Sequence, residues 1–218
     1  MELIDRCRGR GFDLLHRVDT DRKMTIDDLQ VIGENKQFAM AYRATPVKSM
    51  RLVLKHFRGR APATTFVDVG CGKGSTLLAA SQAPFRAIIG VEFASELCAV
   101  ARKNICRYRG RQACKNITVL EMDAAEFCFP DGRLLVYFFN PFHQRVMETV
   151  LEHLLNSLAA APRPVTLLCD GLYHRDVIMN MFRPSKTWSL VGFSVYEQPD
   201  LTGWTARDLR IASSTDRG

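Results

Sequence analysis

The octet Val67-Asp68-Val69-Gly70-Cys71-Gly72-Lys73-Gly74 has the residue types and spacing of a loop that closes on a small ligand. It follows a short β-branched run, Thr65–Val69. It opens a small apolar stretch, Gly74–Ala83, that reads as a helix stopped before Pro84. A glycine-rich turn between strand and helix aims peptide N–H groups at a ligand, with Gly70 and Gly72 free to take positive φ and Gly74 permitting close packing. The spacing G-x-G-x-G is not the dinucleotide fingerprint G-x-G-x-x-G, and Lys73 lacks the placement of a phosphate-binding P-loop lysine. Two acids accompany the loop. Glu92 closes the apolar run Ile88-Ile-Gly-Val, where a carboxylate accepts hydrogen bonds from two ribose hydroxyls. Asp123 closes Leu120-Glu-Met, where it accepts from the exocyclic amine of an adenine. Either acid alone reads as a surface charge. At consecutive strand ends behind a glycine loop they read as one site.

Such a site needs strands that end on one edge. From Thr64 onward, short apolar runs alternate with amphipathic stretches, the pattern of a parallel sheet with crossover helices. Strands are expected over Thr65–Val69, Ala87–Val91, Ile117–Met122, Leu134–Phe139 and Pro164–Cys169. Helices are expected over Gly74–Ala83, Ala94–Tyr108 and Val146–Leu158, the last with Val146, Val150, Leu154 and Leu158 on one face. Beyond these the period changes. Trp188–Tyr196 and Ala206–Ala212 read as strands joined through a Pro199/Gly203 turn segment, an antiparallel hairpin ending the sheet. Residues 1–60 are expected to form a cap over the carboxyl edge of a core spanning 61–218, the two making one structural domain.

The run Asp68 to Gly74 with Glu92 and Asp123 resembles the class I S-adenosylmethionine-dependent methyltransferases, over roughly residues 60 to 170. The resemblance implies a doubly wound, mostly parallel, seven-stranded Rossmann-like α/β sheet with S-adenosyl-L-methionine as cofactor. It places the methionine part of the cofactor on Gly70, Cys71, Gly72 and Gly74, its ammonium on Asp68, and its ribose on Glu92. The adenine falls to Asp123 and Ala124, with Phe93 against its face. Among relatives of this kind, uncharacterised bacterial methyltransferases share the patterns His16…Asp19-Thr20 and Gly33-Glu34-Asn35.

Tyr137-Phe-Phe-Asn140-Pro141-Phe142 ends the fourth strand, where a methyl acceptor belongs. It is similar to the Asn-Pro-Pro-Phe/Tyr motif of amino-group methyltransferases, with one proline missing; the resemblance implies catalytic roles for Asn140 and Phe142. Tyr42-Arg-Ala-Thr45-Pro46 is similar to a cofactor-covering segment of non-SET protein lysine methyltransferases, which assigns Tyr42 to catalysis and Thr45 to the cofactor. Together these favour a protein amino group, lysine-like, as acceptor. A small-molecule O- or N-methyltransferase remains the alternative. In that case His143, Tyr173 or His174 is the candidate base, in loops after the fourth and fifth strands. Trp204 reads as core in preference to a pocket wall.

Composition bounds the rest. The 218 residues are 47% apolar and 24% charged, with 14 Gly and 9 Pro, which excludes disordered and collagen-like chains. No stretch has the length of a membrane span, and no apolar h-region occupies the first twenty residues, so a cytoplasmic enzyme is expected. Seven cysteines without a CxxC pair (Cys7, Cys71, Cys98, Cys106, Cys114, Cys128 and Cys169) are expected to be free, mostly buried thiols, with no metal site. The net charge of +7 is uneven: residues 1–115 carry 21 Lys and Arg against 11 Asp and Glu. The densest basic stretch is Arg102, Lys103, Arg107, Arg109, Arg111 and Lys115. It is first a solvated helix face and second an RNA-binding surface, as in an RNA methyltransferase or an RNA-binding module. An NAD-type oxidoreductase on the same sheet is the remaining alternative, and the glycine spacing speaks against it.

Overall fold

Five runs of apolar, largely β-branched residues become parallel strands because both of their faces are covered. They are β1 (Thr64–Val69), β2 (Ala87–Glu92), β3 (Ile117–Glu121), β4 (Arg133–Phe139) and β5 (Val165–Asp170). The computed structural model describes residues 11–21, 45–139, 143–170 and 174–198. Among these, β6 (Lys186–Leu190) and β7 (Phe193–Gln198) complete one seven-stranded sheet in the order β3-β2-β1-β4-β5-β7-β6. β7 lies antiparallel to both β5 and β6.

The period-two alternation along each strand sorts the core into two layers. Phe66, Ile88, Leu135, Tyr137 and Leu168 face one way, under α1 (Val47–Phe57), α2 (Ser75–Ala80) and α3 (Ser95–Arg107). Val67, Val69, Leu134, Val136, Phe138, Val165 and Leu167 face the other, under α4 (Gln144–Ala160) and α5 (Arg175–Met181). α1 turns Met50, Val53, Leu54 and Phe57 inward and leaves Lys48, Arg51 and Lys55 in solvent. In α4 seven apolar side chains from Val146 to Leu158 are buried, each worth roughly 1.5–3 kcal/mol.

The terminal hairpin departs from the expectation. Its reversal lies at Val191-Gly192, with φ of 53° and 85°, so Trp188–Tyr196 is not one strand but the two arms of the hairpin. A two-residue loop with positive φ at both centres matches the twist of paired strands. Its usual Asn-Gly signature is replaced here by a β-branched residue, so the turn reads as continuing strand. Ala206–Ala212 lies outside the described residues. α5, between β5 and β6, was not expected from the sequence. α2 ends at Ala80, earlier than expected, and Gln82 and Ala83 close the stretch with bonds to residues three back (3.3 and 2.9 Å) before Pro84. Among the described cysteines, Cys71, Cys98, Cys114 and Cys169 are buried and free, but Cys106 and Cys128 are exposed. Burial of Phe127 and Phe129 on either side turns the residue between them outward.

Gly90 positions the loop that follows β1. A Cβ there would stand 2.7 Å from both Cys71 Sγ and Leu77 Cδ1. Gly90→Ala is therefore expected to destabilise the fold by about 1–3 kcal/mol through overpacking. A drop in the thermal midpoint would be the readout, and an unchanged midpoint would contradict the tight packing. Among the described residues no helix is long and apolar enough to cross a membrane, and no His, Cys, Asp and Glu cluster has the arrangement of a metal site.

Candidate functional site

β1, β2 and β3 are in register at their carboxyl ends: Val69 stands beside Val91, and Glu92 beside Glu121. This brings the glycine loop, Glu92 and Asp123 to one edge. The loop begins by leaning on β2, since the N–H groups of Gly70 and Cys71 both donate to the Val91 carbonyl, at 2.8 and 3.0 Å. Gly70, Gly72 and Gly74 have φ of 85°, 51° and 79°, a backbone path that L side chains resist. Gly74 also lies against α3, where a Cβ would meet Ala101 Cβ at 3.3 Å.

Glu92, the last residue of β2, is buried and its carboxylate is held by peptide donors. Oε2 accepts the Gly72 N–H at 2.9 Å; Oε1 accepts the N–H groups of Phe93 and Ala94 at 3.0 Å each. Burial pushes its pKa up, and these three bonds pull it part of the way back. Strand end and glycine loop are thus tied through one side chain. Asp123 follows β3 and caps the short 3-10 turn Ala124–Glu126, its Oδ1 accepting the Ala125 N–H at 2.9 Å. Ala124 is buried at the same place and Phe93 is half-buried.

Asp68 is the most constrained acid. It is 1% exposed, sits beside Gly90 on one side and Tyr137 on the other, and accepts a hydrogen bond from the Thr76 hydroxyl at Oδ2. Burial, with a smaller push from the nearby Glu92, raises its pKa to about 7 against the pull of Thr76. A buried carboxylic acid in this state is poised to pair with a cation.

The structure also places groups that sequence reasoning missed. Tyr137, from β4, is buried beside Asp68, and its hydroxyl lies 2.7 Å from that of Thr45. Thr45, expected to meet the cofactor, has its hydroxyl engaged with Tyr137, which ties the segment before α1 to the sheet. Tyr137→Phe leaves the buried Thr45 hydroxyl without this partner and is expected to cost about 1–3 kcal/mol, seen in denaturant unfolding. A cost near zero would mean that the bond contributes nothing. Period alone marks Tyr137 as core; only its hydroxyl hinted at a partner.

Tyr42, Asn140, Phe142, Tyr173 and Trp204 lie outside the described residues. His143 is the N-cap of α4, its ring nitrogen accepting the Arg145 N–H at 3.4 Å. The basic stretch is not wholly unpaired, because Arg102 reaches Glu121 at 3.1 Å and the Val119 carbonyl at 3.1 Å. Lys103, Arg107, Arg109, Arg111 and Lys115 are exposed.

The positive-φ glycines and the oxygen acceptors of the buried acids along one edge suit a ligand that carries an ammonium and a ribose. Residues 66–164 match the family model described as a methyltransferase domain. An RNA methyltransferase from Salinibacter ruber, in complex with S-adenosyl-L-homocysteine, superposes with a TM-score of 0.53 at 18% identity, covering 77% of this chain and 99% of that one. A candidate RNA methyltransferase from Pyrococcus horikoshii has a TM-score of 0.53 at 14% identity, covering 90% and 98%. The mitomycin 7-O-methyltransferase MmcR has a TM-score of 0.50 at 16% identity, covering 69% of this chain and 52% of that chain. No curated protein sequence matches the chain at a significant level. At these identities the likeness is one of fold, and folds of this kind serve unlike acceptors. Residues 66–164 thus match the model of a methyltransferase domain, on a sheet with the fold of the solved methyltransferases that superpose on it.

Proposed function

We propose that this chain transfers a methyl group from S-adenosylmethionine to a nitrogen acceptor, a lysine-like amino group on a protein. The observation that carries the cofactor half is the meeting of Asp68, the glycine loop, Glu92 and Asp123 at one strand edge. In this reading Asp68 pairs with the cofactor ammonium, and Glu92 accepts from the ribose hydroxyls. The peptide groups of Gly70 to Gly74, with Cys71, cradle the methionine part. Asp123 and Ala124, with Phe93, hold the adenine. The bound cofactor supplies an electrophilic methyl on a sulfonium. The chain's part is alignment, since in-line displacement is accelerated chiefly by holding the reacting atoms close and collinear.

The acceptor half rests on sequence. Asn140-Pro141-Phe142 follows β4 in the chain, and β4 pairs with β1, the strand that leads into the cofactor loop. An asparagine amide there orients an amine and leaves its lone pair available, while the amine loses its proton before attack. Residues 1–60 act as a cap in this proposal, supported by the Thr45–Tyr137 contact. A second reading, an RNA acceptor, is favoured by the five exposed cations between Lys103 and Lys115.

The test uses cofactor labelled in the methyl group, incubated with a lysine-rich protein, a phenolic small molecule, or total RNA. Label recovered as methyl-lysine after hydrolysis supports the proposal. Label confined to RNA nucleosides or to the phenol overturns the acceptor. Absence of S-adenosylmethionine binding by calorimetry overturns the cofactor site itself.

A further inference from the structure

Behind the glycine loop lies a set of buried polar groups with no part in the reading above. Asn104, near the end of α3, is 2% exposed. Its Nδ2 donates to the carbonyl oxygens of Asp19 and Lys73, at 2.9 Å each, and its Oδ1 accepts the Asp19 N–H at 2.8 Å. Both ends of one amide therefore hold the backbone of residue 19 and the centre of the glycine loop. Lys73 completes a ring: its side chain is 1% exposed, and its Nζ lies 3.3 and 3.4 Å from the two carboxylate oxygens of Asp19.

The segment that presents Asp19 is shaped for the purpose. Residues 11–16 are helical, and Arg17 then takes φ 58°. The Asp13 carboxylate folds the chain back by accepting the N–H groups of Thr20 and Asp21, at 2.8 and 3.0 Å, and the Thr20 hydroxyl at 2.6 Å. The His16 ring rests on Tyr108, just past α3, with centroids 5.0 Å apart, and the Arg109 N–H donates to the His16 carbonyl at 3.4 Å. So the pattern His16…Asp19-Thr20 is a single docking element against α3 and the loop.

We propose that Asn104 is a positioning residue for the cofactor site, and that the Asp19–Lys73 ion pair completes a clamp holding the glycine loop in its binding shape. The inference rests on reading that loop as the cofactor cradle. Lys73 stands between two glycines at positive φ, so pinning its carbonyl fixes the peptide plane it shares with the Gly74 N–H, which closes the turn of the loop on the Cys71 carbonyl at 2.9 Å. A glycine-rich loop left free pays its ordering entropy when ligand binds; one ordered in advance does not.

The experiment measures S-adenosylmethionine affinity by calorimetry, well below each variant's unfolding midpoint, with circular dichroism confirming the fold. Asn104→Asp is isosteric; it keeps the acceptor for the Asp19 N–H and loses both donors. Affinity is expected to fall about tenfold, the loss of roughly one or two net hydrogen bonds. Asp19→Asn retains the three backbone bonds to Asn104 and removes only the charge, so it serves even if Asn104→Asp fails to fold. It is expected to weaken binding because the buried ammonium no longer faces the Asp19 carboxylate. The pair Asp19→Asn with Lys73→Met removes both charges and is expected to bind more tightly than Asp19→Asn alone. Failure of that recovery overturns the ion pair's share. Glu92→Ala separates the two levels. If it loses binding while Asn104→Asp and Asp19→Asn stay within about twofold of wild type, the clamp is overturned and the cradle stands. If Glu92→Ala binds as wild type does, the cradle falls and the clamp with it.

Discussion

Glu92→Ala is expected to raise the dissociation constant for S-adenosylmethionine at least about a hundredfold. Two causes combine. In the proposed reading the carboxylate supplies the acceptors for the ribose hydroxyls, and bonds to a charged acceptor are each worth about 1.5–3 kcal/mol. It also organises the loop, since the N–H groups of Gly72, Phe93 and Ala94 all end on it. Without it, three peptide donors at a buried strand end lose this partner, so stability should fall too, by about 2–4 kcal/mol. Glu92→Gln separates these effects. Its amide oxygen keeps the Phe93 and Ala94 donors, but its NH2 meets the Gly72 N–H as donor against donor. Intermediate affinity and intermediate stability are expected. Calorimetry and thermal unfolding on the three proteins suffice; an alanine variant that binds cofactor within about threefold of wild type would remove Glu92 from the site.

Asp68→Asn is expected to do two opposite things. The folded-state pKa of Asp68 is raised to about 7 from the ordinary value of 3.8. The native state therefore holds a proton that the unfolded chain has released between those two values. Stability falls as pH rises through that window, and above about 7 the whole penalty is present, on the order of 4 kcal/mol from the size of the shift. Asparagine cannot ionise, and its amide oxygen still accepts from Thr76. At pH 8 the variant should gain on the order of 3 kcal/mol, roughly 6–12 °C in midpoint, with little gain below pH 4. Cofactor affinity moves the other way. A buried carboxylate pairing with an ammonium is worth several kcal/mol when one partner is removed, so binding is expected to weaken a hundredfold or more. In the wild type, on the proposed reading, pairing with the ammonium pulls the Asp68 pKa down. Near pH 6 to 7, binding should release up to one proton, seen as a heat that depends on the buffer's ionisation enthalpy. A variant that is no more stable at pH 8, or wild-type binding without proton release, would contradict the protonation state.

A position that resists function by destabilising the fold is common at binding sites. Here the same burial that makes Asp68 costly when ionised makes it a strong partner for a cation. The Thr76 hydroxyl, from the first turn of α2, is the only hydrogen-bond donor recorded on Asp68 among the described residues. A serine there would preserve the bond, while a valine would leave the carboxylic acid without it.

How much of this was legible beforehand follows from the range of each interaction. Asp68, Gly70, Gly72, Gly74 and Glu92 were readable because a strand, a turn and a helix start lie within a few residues, and strand ends in a parallel sheet fall on one edge without further information. The five parallel strands and α4 were readable from period, since both depend on local alternation of apolar residues. The hairpin was misplaced because its turn, Val191-Gly192, carries a β-branched residue at positive φ, and sequence pattern does not register such strain.

The side chains that hold the site in shape were not legible at all. Asn104 reaches Asp19 across 85 residues and Thr45 reaches Tyr137 across 92. Gly90 was counted as an ordinary strand residue, yet its missing Cβ makes room for Cys71 and Leu77. The sequence by itself determined the sheet class, the loop, and the acids at the strand ends, because these depend on neighbours along the chain. Only the tertiary structure decided which hydroxyl meets Asp68, which amide pins Lys73, and where the Glu92 carboxylate finds its three donors. Burial makes those partners obligatory, while the chain's path through space selects them.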